Sequence, residues 1–222
     1  MNKHALLFGA TGLTGSFLLH EICTNASYSS VTVFARNYLS YTHAKLIPVI
    51  TDLERIYEHG ALFTGKDIFC CLGTTIKKVN YDKQAFMKVD KHLPLMIANT
   101  ASDFSANQLL VISAMGANSS SRFFYNRVKG ELENALAANE TLPTHIVKPS
   151  LLLGARQNEK RWGERFGQII FPLFSPFLTG HFKAYRPIYA KTVAKAMCNI
   201  ALLNKKGYNT YDCEQLRLLA KY

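Results

Sequence analysis

Two stretches of this 222-residue chain have the residue types and spacing that chemistry requires. The first is Tyr125-Asn126-Arg127-Val128-Lys129. A tyrosine and a lysine four positions apart in a helix share one face. A neighbouring ammonium favours phenolate, so the spacing predicts a Tyr125 phenol with a lowered pKa. Such a phenol gives a proton to a carbonyl oxygen as hydride arrives, or removes one in reverse. Lys129 is also expected to bond a cofactor ribose. Upstream, Ser113 ends the apolar run Leu109-Leu110-Val111-Ile112 and is expected to hold the substrate oxygen. The string Tyr41-Thr42-His43-Ala44-Lys45 repeats the spacing, but no strand-end serine precedes it and it reads as a loop.

The second stretch is Gly9-Ala10-Thr11-Gly12-Leu13-Thr14-Gly15, set between the apolar run His4–Phe8 and the helically spaced Ser16–Ile22. Strand, glycine turn and helix is the arrangement that binds a dinucleotide pyrophosphate, with the open N–H groups of the helix start facing the phosphates. The turn residues Gly9, Thr11, Gly12, Leu13, Thr14 and Gly15 are therefore expected to hold a cofactor, although the spacing also suits a plain tight turn. Past the second apolar run, Val31–Ala35, stands Arg36 where NAD-binding chains commonly carry a carboxylate for the ribose hydroxyl. A guanidinium suits a 2′-phosphate, so NADP(H) is the expected cofactor. Leu72-Gly73-Thr74-Thr75 ends another strand, with Gly73 allowing close approach to the ribose and the threonines able to bond it; the same residues also make an ordinary turn.

Short apolar runs at His4–Phe8, Val31–Ala35, Leu46–Ile50, Asp67–Leu72, Leu109–Ser113 and Thr144–Lys148 alternate with helical patterns at Leu13–Thr24, Asp52–Gly60, Tyr81–Ser102 and Arg122–Ala138. The strands are nearly continuous in apolar character, as strands covered on both faces are. The alternation predicts an α/β doubly wound parallel sheet, Rossmann-like, with a crevice at the carboxyl ends of its strands. Pro94 should kink the third helix or start a new one. With no linker or repeat in sight, residues 1–222 read as one NAD(P)-binding domain. Residues 149–222 are expected to form its substrate-side part, including helices over Trp162–Phe174 and Lys191–Leu203. The apolar segment Phe166–Phe174 reads as core packing, a substrate lid, a membrane-touching segment or a partner face.

The charge is uneven. Residues up to Val147 carry 13 Lys/Arg against 11 Asp/Glu, and those from Lys148 onward carry 13 against 4, a net of +9. That excess suits an anionic substrate, an acidic membrane surface or nucleic acid, or is a solvated basic face. No zinc-finger spacing or aromatic RNA-binding signature accompanies it, so specific nucleic-acid binding is not expected. The apolar run before Gly9 is shorter than the roughly 7–15 residues of a signal peptide, and no stretch is long enough for a transmembrane helix. Five cysteines without metal-ligand spacing, and seven scattered histidines, imply no metal site; reduced thiols fit a cytoplasmic protein.

Taken together, Phe8–Gly15, Cys70–Thr75, Val89-Asp90, Ser113–Ala117 and Phe124–Glu131 resemble the short-chain dehydrogenase/reductase superfamily in its atypical branch, and within it the Tat-interacting oxidoreductase-like proteins. The resemblance covers about residues 4–154. It implies a Rossmann fold, NADP(H), a catalytic set of Ser113, Tyr125 and Lys129, and a position for Pro149 near the nicotinamide. Many active members carry Asn where this chain has Asp90, and Arg where it has Lys148. The activity implied is a carbonyl/alcohol oxidoreductase acting on a small molecule; the alternative is a non-catalytic NADP(H)-sensing regulator that works through a protein partner.

Overall fold

The computed structural model describes residues 2–154 and 186–222. Seven strands form one parallel sheet: β1 (Lys3–Phe8), β2 (Tyr28–Ala35), β3 (Leu46–Ile50), β4 (Asp67–Cys70), β5 (Gln108–Ile112), β6 (Thr144–Val147) and β9 (Tyr208–Tyr211). Their order is β3-β2-β1-β4-β5-β6-β9. Winding runs outward from β1 to β3, then returns to β4 on the other side of β1. That reversal opens a crevice beyond the carboxyl ends of β1 and β4, where Phe8 pairs with Cys70. Two short strands, β7 (Leu152–Leu153) and β8 (Ile188–Tyr189), pair separately.

Alternation along β1 divides the core. Ala5 and Leu7 join Leu18, Ile22, Val193 and Met197 on one face, while Leu6 and Phe8 join Phe34, Ile97 and Leu132 on the other. Cys70 and Cys71 likewise fall to opposite layers, and all five cysteines are free thiols. Helix α1 (Leu13–Thr24) follows β1, and a 3-10 stretch (Leu53–Phe63) begins at Asp52, whose carboxylate accepts the Glu54 N–H. The long helical region expected around Pro94 is α2 (Lys83–Met87), a π turn (Lys88–His92) and α3 (Leu93–Asp103). Pro94 sits in the first turn of α3, directly after the π turn, whose helical backbone runs on through His92 and Leu93. Helix α4 (Phe124–Ala137) follows β5.

The C-terminal region departs from expectation. Helix α5 (Ala190–Leu202) packs against α1, β9 extends the sheet beyond β6, and α6 (Cys213–Leu219) starts at a capping box between Asp212 and Gln215. The described residues from 190 onward therefore belong to the sheet and its helical cover, because the buried stripe Val193-Ala194-Met197-Ile200-Ala201 needs a partner and α1 supplies it. Among the described residues of this region, only Pro149–Leu152 line the crevice. Residues 155–185, with the helix expected over Trp162–Phe174, the segment Phe166–Phe174 and His181, lie outside the described residues. β9 is absent from the sequence reading because Tyr-Asn-Thr-Tyr is short and not apolar.

At the opposite, amino edge of the sheet, buried Asp67 accepts hydrogen bonds from Lys3 Nζ at 2.9 Å, Tyr28 Oη at 2.7 Å, Asn107 Nδ2 at 2.6 Å and Gln108 Nε2 at 2.8 Å. Four donors on one carboxylate tie β1, β2, β4 and β5 together. At the other edge of the sheet, β3 carries the exposed Ile47, Pro48 and Ile50.

His145 on β6 is fully buried; its Nδ1 lies 3.3 Å from the Tyr211 hydroxyl and its Nε2 has no partner among the described residues. Burial, with a contribution from Lys205, lowers its pKa to about 4, so the folded chain keeps it neutral. The unfolded chain protonates it near 6.5. Between those values the unfolded state binds the extra proton, so stability contributed at neutral pH is lost as pH falls from about 6.5 to about 4. The difference amounts to roughly 3 kcal/mol at about 1.36 kcal/mol per unit. His145→Gln, which cannot titrate, should show a shallower fall in urea midpoint between pH 7 and 4. Parallel curves for the two proteins would remove His145 as the cause.

Candidate active site

The crevice, about 500 Å³ in volume, is lined by the start of α1, the segments following β4, β5 and β6, the π turn and the first turns of α4. Its floor depends on the glycine turn. Gly9 has φ +81°, a left-handed conformation, and a Cβ there would meet the Cys71 carbonyl oxygen at 2.6 Å. A Cβ on Gly15 would lie 2.1 Å from the Gly9 carbonyl oxygen. The turn is thus pressed against both the strand-end backbone and its own helix. Gly12 caps α1 without a side-chain bond, and the first helical bond runs from Ser16 N–H to the Gly12 carbonyl at 3.0 Å. The N–H groups of Leu13, Thr14 and Gly15 precede that bond and are open at the helix end.

Thr14 is buried and lines the crevice, and its Oγ1 has no hydrogen-bond partner among the described residues. A buried hydroxyl left without a partner costs free energy unless a ligand or water takes it up. The open amides, the glycine cradle and this hydroxyl fit a dinucleotide phosphate. Leu13, Leu72, Gly73, Thr74 and Pro149 line the same crevice, whereas Gly9, Thr11, Gly12 and Gly15 build the turn behind it. Arg36 is exposed just past β2, beyond the crevice lining, and no carboxylate pairs with it among the described residues.

On the α4 wall, Tyr125 and Lys129 both line the crevice. The Tyr125 ring leans edge-on against buried Phe86 at 5.9 Å, and its hydroxyl takes no partner among the described residues. Lys129, 3% exposed, places Nζ 2.8 Å from Asp90 Oδ1 in the π turn. Asp90 Oδ2 accepts the Thr74 N–H at 2.8 Å. The expected lowering of the Tyr125 pKa is overturned: burial raises it first, Lys129 lowers it, and the Asp90 carboxylate raises it again. Lys129 is not a lone cation: it is paired with Asp90, whose carboxylate works against it at the phenol.

Ser113 has a partner of its own. It sits just past β5 at the crevice edge, but its hydroxyl donates to Glu133 Oε1, while Glu133 Oε2 pairs with Lys148 Nζ at 2.8 Å. The hydroxyl expected to hold a substrate oxygen is therefore committed to a carboxylate. Glu133 was missed by the sequence reading, although Tyr125, Lys129 and Glu133 recur every four residues on one helical stripe. The second tyrosine–lysine string serves structure instead: Tyr41 packs on His20 and His43, and Lys45 Nζ donates to the Asn25 carbonyl at 2.7 Å. No helix among the described residues is long and apolar enough to cross a membrane.

No protein-family model matches the chain. Among curated proteins, rat HTATIP2 is 33% identical over 203 residues, covering 89% of this chain and 81% of that protein. The protein named FMP52, mitochondrial, of Eremothecium gossypii is 28% identical, covering 92% and 91%. Its counterpart in Saccharomyces cerevisiae is also 28% identical, covering 90% and 87%. Among solved structures, MoeE5 in complex with UDP-glucose and NAD superposes with a TM-score of 0.70 at 13% identity, covering 98% of this chain and 81% of that one. The oxidoreductase YlbE from Lactococcus lactis gives a TM-score of 0.70 at 14% identity, covering 99% and 97%. Both carry the same Rossmann-type fold.

Thr14→Val keeps the side-chain shape and deletes the partnerless hydroxyl. The ligand-free protein should gain on the order of 1 kcal/mol, read as a higher urea midpoint. A lower midpoint would mean that the hydroxyl is already satisfied.

Proposed function

The chain belongs to the family of HTATIP2 and FMP52 proteins, an atypical branch of the short-chain dehydrogenases/reductases, and from that membership we propose that it is an NADP(H)-dependent carbonyl/alcohol oxidoreductase acting on a small molecule. The observation that carries this reading is the crevice, which brings the open end of α1 and the partnerless Thr14 hydroxyl together with Tyr125 and Lys129. When bound, the nicotinamide supplies or accepts the hydride. The chain itself does the rest. Gly9, Thr11, Gly12, Leu13, Thr14 and Gly15 form the phosphate cradle, and Leu72, Gly73, Thr74 and Pro149 flank the ribose and the ring.

Arg36 takes the 2′-phosphate in this reading, supported by its exposure and by the absence of Asp or Glu in Ala35-Arg36-Asn37. Tyr125 gives its proton to the carbonyl oxygen of the substrate and regains it from solvent. A phenol held protonated suits that direction. Lys129 orients the ribose. Ser113 polarises the carbonyl only after turning its hydroxyl away from Glu133, so its contribution depends on that hydrogen bond breaking.

The whole chain serves as one cofactor-binding domain in this proposal. An anionic substrate is the class in this reading, by likeness in fold to MoeE5, which is in complex with UDP-glucose and NAD. Free thiols support a reducing compartment, the cytoplasm in this reading; the yeast relatives are themselves named mitochondrial.

NADPH at about 100 times its Kd should stabilise the fold by roughly 2.7 kcal/mol, a rise of several degrees in Tm, with NADH at the same concentration doing less. Arg36→Asp should weaken NADPH binding about 10- to 100-fold, the value of a charged hydrogen bond, and leave NADH binding nearly intact. Equal losses for both nucleotides would take Arg36 out of the phosphate site. Tyr125→Phe should cut NADPH oxidation on a carbonyl panel by ~100-fold or more without changing NADPH affinity. Binding without any turnover in the parent chain would overturn the enzymatic reading.

A further inference from the structure

The π turn between α2 and α3 faces α4 through two ion pairs of opposite sense: Asp90 with Lys129, and Lys91 with Glu131 at 2.7 Å. The first is the buried one, its side chains 1% and 3% exposed. It is anchored on a third element as well, because the second Asp90 oxygen holds the Thr74 N–H at the end of β4. A buried carboxylate with both oxygens engaged is fixed in place, and it fixes what it holds. An extra residue accommodated as a π turn is also the kind of local irregularity that recurs at functional sites.

We propose that Asp90 is a positioning residue, which locks the Lys129 ammonium against the strand-end loop and offsets part of its field at Tyr125, so that the phenol stays available as a proton donor. The proposal rests on the reading of Tyr125 as the acid. It follows from placement: Tyr125, Lys129, Asp90 and Thr74 all line one crevice. The charged or titratable groups on the elements packed here are Lys129, Glu131 and Glu133 from α4, Asp90 and Lys91 from the π turn, Lys83 from α2, set over the Phe124 ring at 5.6 Å, and the Cys70 thiol from β4, while Phe86 of α2 meets the Tyr125 ring itself. Of these, Lys129 and Asp90 act on Tyr125 with opposite sign. Removing the carboxylate leaves the ammonium alone beside the phenol, and removing the ammonium leaves the carboxylate.

The test reads the phenol directly, in the cofactor-free full chain labelled with 13Cζ-tyrosine, with the Tyr125 signal assigned from Tyr125→Phe. Asp90→Asn should lower the Tyr125 ionisation midpoint by about one pH unit, within the range that a single close charge produces. Lys129→Met should raise it, and the double variant should lie between the two and close to the parent. In turnover, Asp90→Asn should bring the alkaline fall of carbonyl reduction to lower pH by the same amount. A midpoint that stays or rises in Asp90→Asn overturns the proposal. Should that variant not fold, a double variant no closer to the parent than Lys129→Met overturns it equally. Because the NMR midpoint does not depend on turnover, a chain that shows these shifts but reduces no carbonyl would refute the enzymatic reading, and with it the proton-donor role, while leaving the placement of Lys129 by Asp90 standing.

Discussion

The Gly15 α-carbon lies so close to the Gly9 carbonyl oxygen that no side chain fits between them, and the rest of the site follows from that closeness. It brings α1 down onto β1 with its amino end at the strand terminus. The left-handed Gly9 lets the same turn press on the backbone leaving β4. Since β1 and β4 are the strands between which the sheet reverses direction, the crevice, the open amides and Thr14 all converge on this point. A methyl group at either glycine would separate elements that must touch for a diphosphate to be cradled.

The opposing wall is organised by charge rather than by closeness. Along α4 the inward stripe runs Tyr125, Lys129, Glu133, and each ionised member meets a counter-charge from another element: Asp90 from the π turn, Lys148 from the end of β6. Leaving either partner of such a buried pair alone costs several kcal/mol, so the pairs hold α4 in one register even where they add little net stability. The same pairing removes Ser113 and Lys129 from the free state that their sequence positions suggest.

Much of the fold was legible because it is periodic. Strands buried on both faces read as apolar runs, and α1, β3 and α4 fall within a residue or two of their expected limits. β9 and α6 were not legible. Tyr208-Asn209-Thr210-Tyr211 has no apolar run, and it becomes a strand because β6 offers an unpaired edge. In the site, the glycine turn and the tyrosine–lysine pair stand out locally, since short spacing determines them. The partners of Lys129 and Ser113 do not, because Asp90 lies 39 positions and Glu133 20 positions away in the chain, and only the tertiary arrangement selects them. Arg36 illustrates the remaining gap: its place past β2 is legible, but not what its guanidinium meets.

The exposed proline in β3 has a consequence for self-association. A parallel sheet invites growth at its rims, and β3 presents Ile47 and Ile50 on an outer rim. Pro48, lacking an amide hydrogen, interrupts the ladder that an incoming chain would have to complete. Copies of this protein are thereby discouraged from zipping together along that side, and sticky side chains there can be tolerated without fibre-like stacking.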